Sequence, residues 1–218
     1  MRRILAPILL VVLLFPSLAL GETMDDLVET NGLYFKKFTE VPFDGTVTGR
    51  FQGKIKDGKK DGPWVYYHKN GGLKFKRIYK DGKLDGPYVS YHKNGQLWTK
   101  GTYKNGEKDG PWVDYYGNGL LKMKGDYKDG SLEGPHVSYW DTGQLRAEGD
   151  LENGKRDGPW VAYWNNGQLM YKGDFKDGKK DGPWVDYHKN GISSKGTFKN
   201  GVWEELTGTY KNGVWIPD

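Results

Sequence analysis

The chain contains no cysteine, which excludes a disulfide framework, a thiolate nucleophile and a Cys-ligated zinc site. It is sparing with Leu, Ile and Val, so neither a helical bundle nor a doubly wound α/β enzyme has the thick aliphatic core it would need. Proline is limited to 10 of 218 residues and the 33 glycines follow no three-residue period, which removes a collagen-like helix. No excess of one charge stands out either. The 33 Lys and Arg face 28 Asp and Glu, a net +5, and the two signs are interleaved along the chain, which argues against a nucleic-acid partner. What is abundant is aromatic side chains, 15% of the sequence, enough to argue against disorder. With so much glycine beside them they point to strands and turns in one domain or one repeat array.

The segment from Met1 to Gly21 differs from the rest. Arg2 and Arg3 precede an uncharged apolar run from Ile4 to Leu20, which closes on Ala19-Leu20-Gly21. This is the layout of an export signal, with cleavage expected before Glu22. A retained anchor is the competing reading, but an apolar run of this length, interrupted by Pro7 and Pro16, falls short of the ~20 residues that span a bilayer. Without Arg2 and Arg3 the remaining 31 basic and 28 acidic side chains leave a net +3.

Self-similarity dominates the remainder. Asp61-Gly62-Pro63-Trp64 returns as Asp85-Gly86-Pro87-Tyr88, Asp109-Gly110-Pro111-Trp112, Glu133-Gly134-Pro135-His136, Asp157-Gly158-Pro159-Trp160 and Asp181-Gly182-Pro183-Trp184, at one constant spacing. Asn70-Gly71, Asn94-Gly95, Asn118-Gly119 and Asn166-Gly167 supply φ > 0 residues for one hairpin turn, and Asp81-Gly82, Asn105-Gly106, Asp129-Gly130 and Asp177-Gly178 for the other. Each unit is therefore expected to be a β-hairpin leading into the next. The fold class is all-β: an elongated, twisted, single-layer antiparallel meander of 24-residue hairpins, about 60 Å long at ~4.8 Å per strand. Residues 22–60 read as an N-terminal cap with a degenerate repeat, 61–201 as six repeats, and 202–218 as a truncated closing unit. The stretch after Asn190-Gly191 is one residue short.

Alternation assigns faces. Val65 and Tyr67, with their counterparts in every unit, point one way, and Trp64 and His68 the other. In the second strand Leu97, Thr99, Gly101 and Tyr103 share a face, with Trp98, Lys100 and Thr102 opposite. On this reading the Val and Tyr side is core and the Trp side is free for recognition. Gly101, Gly125, Gly149 and Gly173 lie mid-strand, a position that signals the close approach of another group, here a neighbouring aromatic ring.

The unit, with its Asp-Gly-Pro-Trp-Val-x-Tyr and Gln-Leu-x-x-Lys-Gly-x-Tyr segments, resembles the bacterial variant of the MORN repeat over residues 43 to 213. Leu27 to Lys37, followed by Val41 to Gly45, is similar to the opening of exported bacterial proteins of the YwqK-like antitoxin-component family. The resemblance implies a hairpin ribbon used as a binding or scaffolding module, with no catalytic residues.

Candidate chemistry is sparse. His68, His92 and His188 share one register, but Tyr116, Trp140 and Trp164 occupy it in the other units, so the position selects a flat ring rather than a metal ligand or base. The Asp-Gly-Lys-x-Asp-Gly stretches, such as Asp57 to Gly62, share the outline of calcium loops, yet lysines separate their carboxylates, and turn chemistry explains them. No nucleophile triad, phosphate loop or His-Glu-x-x-His motif is present. The expectation is therefore a non-enzymatic, exported scaffold without metal or cofactor. Its binding face would be the aromatic rows Trp64, Tyr88, Trp112, Trp160 and Trp184, and His68, His92, Tyr116, Trp140, Trp164 and His188. A protein partner is the first reading. Envelope glycans or a membrane surface are the alternative, and neutralisation of a partner toxin is a third. Should the rings prove to be core, the surface shifts to Lys100, Lys124 and Lys172 with their acidic neighbours.

Overall fold

Two kinds of turn space the strands in the computed structural model, which describes residues 21–187, 193–204, 208–211 and 214–217. At Asp81-Gly82, Asn105-Gly106 and Asp129-Gly130 both residues are left-handed, with φ of 51° and 82°, 53° and 96°, and 48° and 81°. These are the two-residue turns whose twist matches flanking strands. The other loops are longer. There His92 N–H donates to Gln96 O, Gly95 N–H donates to His92 O, and of the Asn-Gly pair Gly95 alone has positive φ, 84°. The expectation of left-handed Asn70, Asn94, Asn118 and Asn166 is thus corrected. Each of these side chains accepts the N–H two residues on through Oδ1 and caps its loop.

Between turns run nine-residue motif strands, Lys59–Tyr67, Lys83–Tyr91, Glu107–Tyr115, Ser131–Tyr139, Lys155–Tyr163 and Lys179–Tyr187. They alternate with return strands Leu73–Lys80, Leu97–Lys104, Leu121–Lys128, Leu145–Glu152, Leu169–Lys176 and Ser193–Lys199. The Asp-Gly-Pro of each unit, assigned above to turn chemistry, is instead a bulge inside the motif strand. Asp126 pairs with Glu133 and Gly125 with His136, which leaves Gly134-Pro135 without opposite numbers on that strand, while on the other side they pair with Leu151 and Asp150. A bulge tolerates a residue with no N–H, and it needs the left-handed Gly134 at φ 71°.

A second bulge decides the faces. Tyr115 pairs with Leu121 but Asp114 with Met123, so Lys122 is the extra residue, and beyond it Val113 meets Lys124 and Trp112 meets Gly125. Without the bulge Val113 would have met Met123. One inserted residue exchanges the two faces of a strand. The assignment of Val and Tyr to the core is therefore inverted: Trp shares its face with Gly101 and Tyr103, and Val shares the other with lysine. The short last unit obeys the same logic. Tyr187 pairs with Ser193 and Trp184 with Gly196 with no shift, so the missing residue is the bulge itself.

Among the described residues sixteen strands join one sheet, in chain order apart from the N-terminal hairpin, which spans about 70 Å at ~4.8 Å per strand. All neighbours are antiparallel except Glu22–Thr23 against Gly45–Thr48. The hairpin Leu27–Thr30 and Leu33–Lys36 forms a separate two-stranded sheet. It covers the first end of the inner face, where Leu27 is buried with Val47, Ile55 and Trp64, and Tyr34 N–H donates to Gly58 O at 2.7 Å. Residues 208–211 and 214–217 make another hairpin. The proposed leader, residues 1–21, lies outside the described residues except for Gly21.

Candidate functional site

A single-layer sheet has no second layer to cover its core, and here the core is made by laying rings flat on the strands. Trp64, Trp112, Trp160 and Trp184 are only 1–3% exposed. Beneath each lies a glycine of the preceding return strand: Gly53, Gly101, Gly149 and Gly173, where a Cβ would fall inside the indole. The close approach inferred from mid-strand glycine is thus present. Above each lies a cation from four positions earlier in the chain. Lys60, Lys108, Arg156 and Lys180 sit 5.2, 4.2, 4.5 and 3.9 Å from the indole centroids, within cation–π range. At the sides stand edge-on rings, such as Tyr103 at 5.2 Å and Tyr127 at 5.9 Å from Trp112. Indole N–H groups donate to Lys54 O, Thr102 O and Asp150 O at 3.0, 3.2 and 2.8 Å. Trp184 is turned in its seat, and its Nε1 has no acceptor among the described residues.

These four tryptophans therefore belong to the core and cannot form the expected recognition surface. Their burial of ~200 Å² each, at ~25 cal/mol per Å², contributes up to about 5 kcal/mol per ring. Tyr88 is half-buried in the same row, stacked on Trp112 at 5.8 Å. Burial of the Lys60 ammonium among Tyr34, Trp64 and Tyr79 lowers its pKa, with Arg77 adding to the effect.

The second predicted row has a different task. His68 Nε2 faces Tyr91 O at 3.2 Å and His92 Nε2 faces Tyr115 O at 3.0 Å; Tyr116 Oη donates to Tyr139 O at 2.8 Å; Trp140 and Trp164 Nε1 donate to Tyr163 O and Tyr187 O at 3.1 and 3.3 Å. A carbonyl only accepts, so both histidines carry the proton on Nε2. Each ring bridges to the backbone of the next unit, which explains why His, Tyr and Trp interchange there: the requirement is a flat ring with a donor at its tip. Asn70, Asn94 and Asn118 make a parallel ladder, donating to Lys93 O, Gly117 O and Asp141 O. His188 lies outside the described residues.

Two signals in the sequence could have corrected the faces. Gly stands eleven positions before Trp at 53/64, 101/112, 149/160 and 173/184, and Arg77 replaces it where the ring is Tyr88. Lys or Arg stands four positions before each of these tryptophans, whereas Leu84 and Leu132 hold that place before Tyr88 and His136.

The opposite, outer face is free of these structural roles. Lys76, Lys100, Lys124, Lys172 and Lys195 alternate with Val65, Val89, Val113, Val137, Val161 and Val185 across the strands, with Glu148 in the fourth place. All these lysines except Lys76 are exposed. Asp126 and Asp150 stand exposed beside them; Trp98, 47% exposed, is the inserted bulge residue of its unit, as Lys122 and Arg146 are of theirs.

The unit repeated along this sheet is similar to a known one. A family model described as MORN repeat variant matches residues 60–81, 84–105 and 156–177. Each match runs over one motif strand, its loop and the following return strand. The chain is thus a long meander of antiparallel hairpin repeats, three of which match the MORN repeat variant. No curated protein matches it.

Proposed function

We propose that this chain is an exported, non-enzymatic scaffold that binds a protein partner through the outer face of its sheet. The observation that carries the reading is the division of labour between faces. Every predicted ring within the described residues is consumed by core or by bonds between units, while the row of lysines stands at regular intervals with no structural task. Charges arrayed on a rigid sheet steer and orient a partner. A partner carrying acidic groups at matching intervals fits this row. The leader-like segment from Met1 to Gly21 supports a partner outside the cytoplasm, which sets an envelope binder above a neutraliser of a cytoplasmic toxin. A glycan reading has one observation in its favour, the exposed Trp98 5.7 Å from the His92 ring.

Replacing Lys100, Lys124 and Lys172 by Glu tests this. Partner capture from envelope extract should be lost at unchanged melting temperature, with cross-links in the unaltered protein mapping to the outer face. Capture that survives the triple replacement and fails instead in Trp98→Ala, with binding on a glycan array, would transfer the reading to sugars.

A further inference from the structure

The inner face is not uniform, and its thinnest place is the fourth unit. The first unit fills this face with Tyr66 and Phe75, ring centroids 5.0 Å apart; the fourth has Ser138 and Ala147 at those positions. His136 stands where Trp112 stands one unit earlier, and Leu151 where Tyr127 does. The ring contacts that run along the array break between Tyr127 and His136, and a groove of about 340 Å³ opens. Met123, Leu132 and Ala147 give it an apolar floor. The half-buried imidazole of His136 gives it a flat wall, backed by the buried indole of Trp160, 6.1 Å away and inclined by 29°.

Its charged lining has one sign. Lys122, Arg146 and Arg156 line the groove, and no Asp or Glu does. Among the described residues none of the three is in an ion pair. They are held by rings instead. The guanidinium of Arg156 lies 4.5 Å from the Trp160 centroid and donates to Tyr171 Oη at 2.7 Å; that of Arg146 lies 4.8 Å over Trp140; the Lys122 ammonium is 5.9 Å from the Tyr116 ring. Ring-held cations keep their hydrogen-bonding capacity for an anion, and Arg can grip a carboxylate with two parallel bonds.

We propose that the groove of the fourth unit binds a small planar organic anion: a single aromatic ring bearing a carboxylate. The volume is at the low end of small-molecule sites, which fits one ring rather than a fused system. The ring lies over the apolar floor against His136, touching only the edge of the buried Trp160 indole, and the carboxylate meets Arg146 and Lys122 at the rim. This inference is independent of the outer-face reading, since none of the residues replaced to test that face lines the groove.

The test is titration of the full chain with benzoate, benzamide and benzylamine, followed by NMR on the Trp160 indole and His136 ring signals. Benzoate should shift both saturably, about tenfold more tightly than benzamide, and benzylamine should leave them unmoved. Lys122→Gln with Arg146→Gln should weaken benzoate about tenfold and leave benzamide unchanged. Ser138→Tyr with Ala147→Phe rebuilds the ring pair of the first unit and should abolish binding without lowering the melting temperature; Ala147→Leu is the milder filling variant should that pair fail to fold. Equal binding of the three probes, absence of binding, or benzoate shifts spread over the outer lysines overturns the proposal.

Discussion

The third and fourth units share their loops, both bulges and the 24-residue spacing, yet one closes over a buried indole and the other opens into a groove. In the third, Trp112 lies flat over Gly101 beneath Lys108, with Tyr103 and Tyr127 edge-on beside it. In the fourth, His136 covers less and Leu132 replaces the cation. The loop edge is the same in both. Tyr116 Oη reaches Tyr139 O and Trp140 Nε1 reaches Tyr163 O, so each unit is tied to the next whatever its inner face carries. The array separates two jobs: hydrogen bonds at the loop edge and the ladder fix the register, and rings on the inner face supply burial. A unit can therefore lose rings without losing its place.

That comparison is broken most sharply at two glycines. At Gly101 a methyl group would enter the Trp112 indole, which is buried and cannot give way. Gly101→Ala should therefore cost about 3 kcal/mol or more, as overpacking plus displacement of a core ring. At Gly125 the same methyl would meet His136 Nδ1 and Leu132 Cδ2 at 3.2 Å, both half-buried and bordering the groove. Gly125→Ala should stay within about 1 kcal/mol of the parent, since a strand gains from losing a glycine what the small adjustment costs. Denaturant melts of the two variants decide, and equal losses would mean that the units are packed alike.

A smaller effect sharpens the same contrast through pH. Burial, with Arg156 nearby as the lesser cause, holds the His136 pKa below its usual 6.5. The unfolded chain then binds the proton first. Stability contributed by neutral His136 is complete above about pH 6.5 and is lost as pH falls through the lower folded value. The melting temperature of the parent should drop over that window more than that of His136→Gln, in which this contribution is absent. Identical slopes would place His136 in water.

Much of this fold is legible in the residues. The 24-residue recurrence of Asp-Gly-Pro, the Asp-Gly and Asn-Gly turns and the period-2 alternation lead directly to hairpins, and the mid-strand glycines announce rings lying over them. The faces are not legible by alternation, because Lys74, Trp98, Lys122, Arg146 and Met170 are single inserted residues that look like any other strand residue, and one such insertion exchanges inside with outside. The tryptophans then look like a recognition row when they are the core. The register position shared by His68, His92, Tyr116, Trp140 and Trp164 is read correctly as a demand for flat rings, but its reason, a backbone carbonyl of the following unit, is a contact that no single unit contains. The groove is hidden for a similar reason: it arises from four residues, His136 and Ser138 on one strand and Ala147 and Leu151 on the next, whose combined effect appears only across the sheet.

The central claim is that the tryptophan row is the core and the lysine face is the surface that meets a partner. Calorimetry on Trp112→Ser with Trp160→Ser, run beside partner capture, tests it most directly. Each replacement removes a buried ring and should cost about 3–5 kcal/mol, so the account predicts a large fall in melting temperature or outright unfolding, with capture failing only as the fold fails. An unchanged melting temperature together with lost capture would contradict it, and would return the rings to the surface.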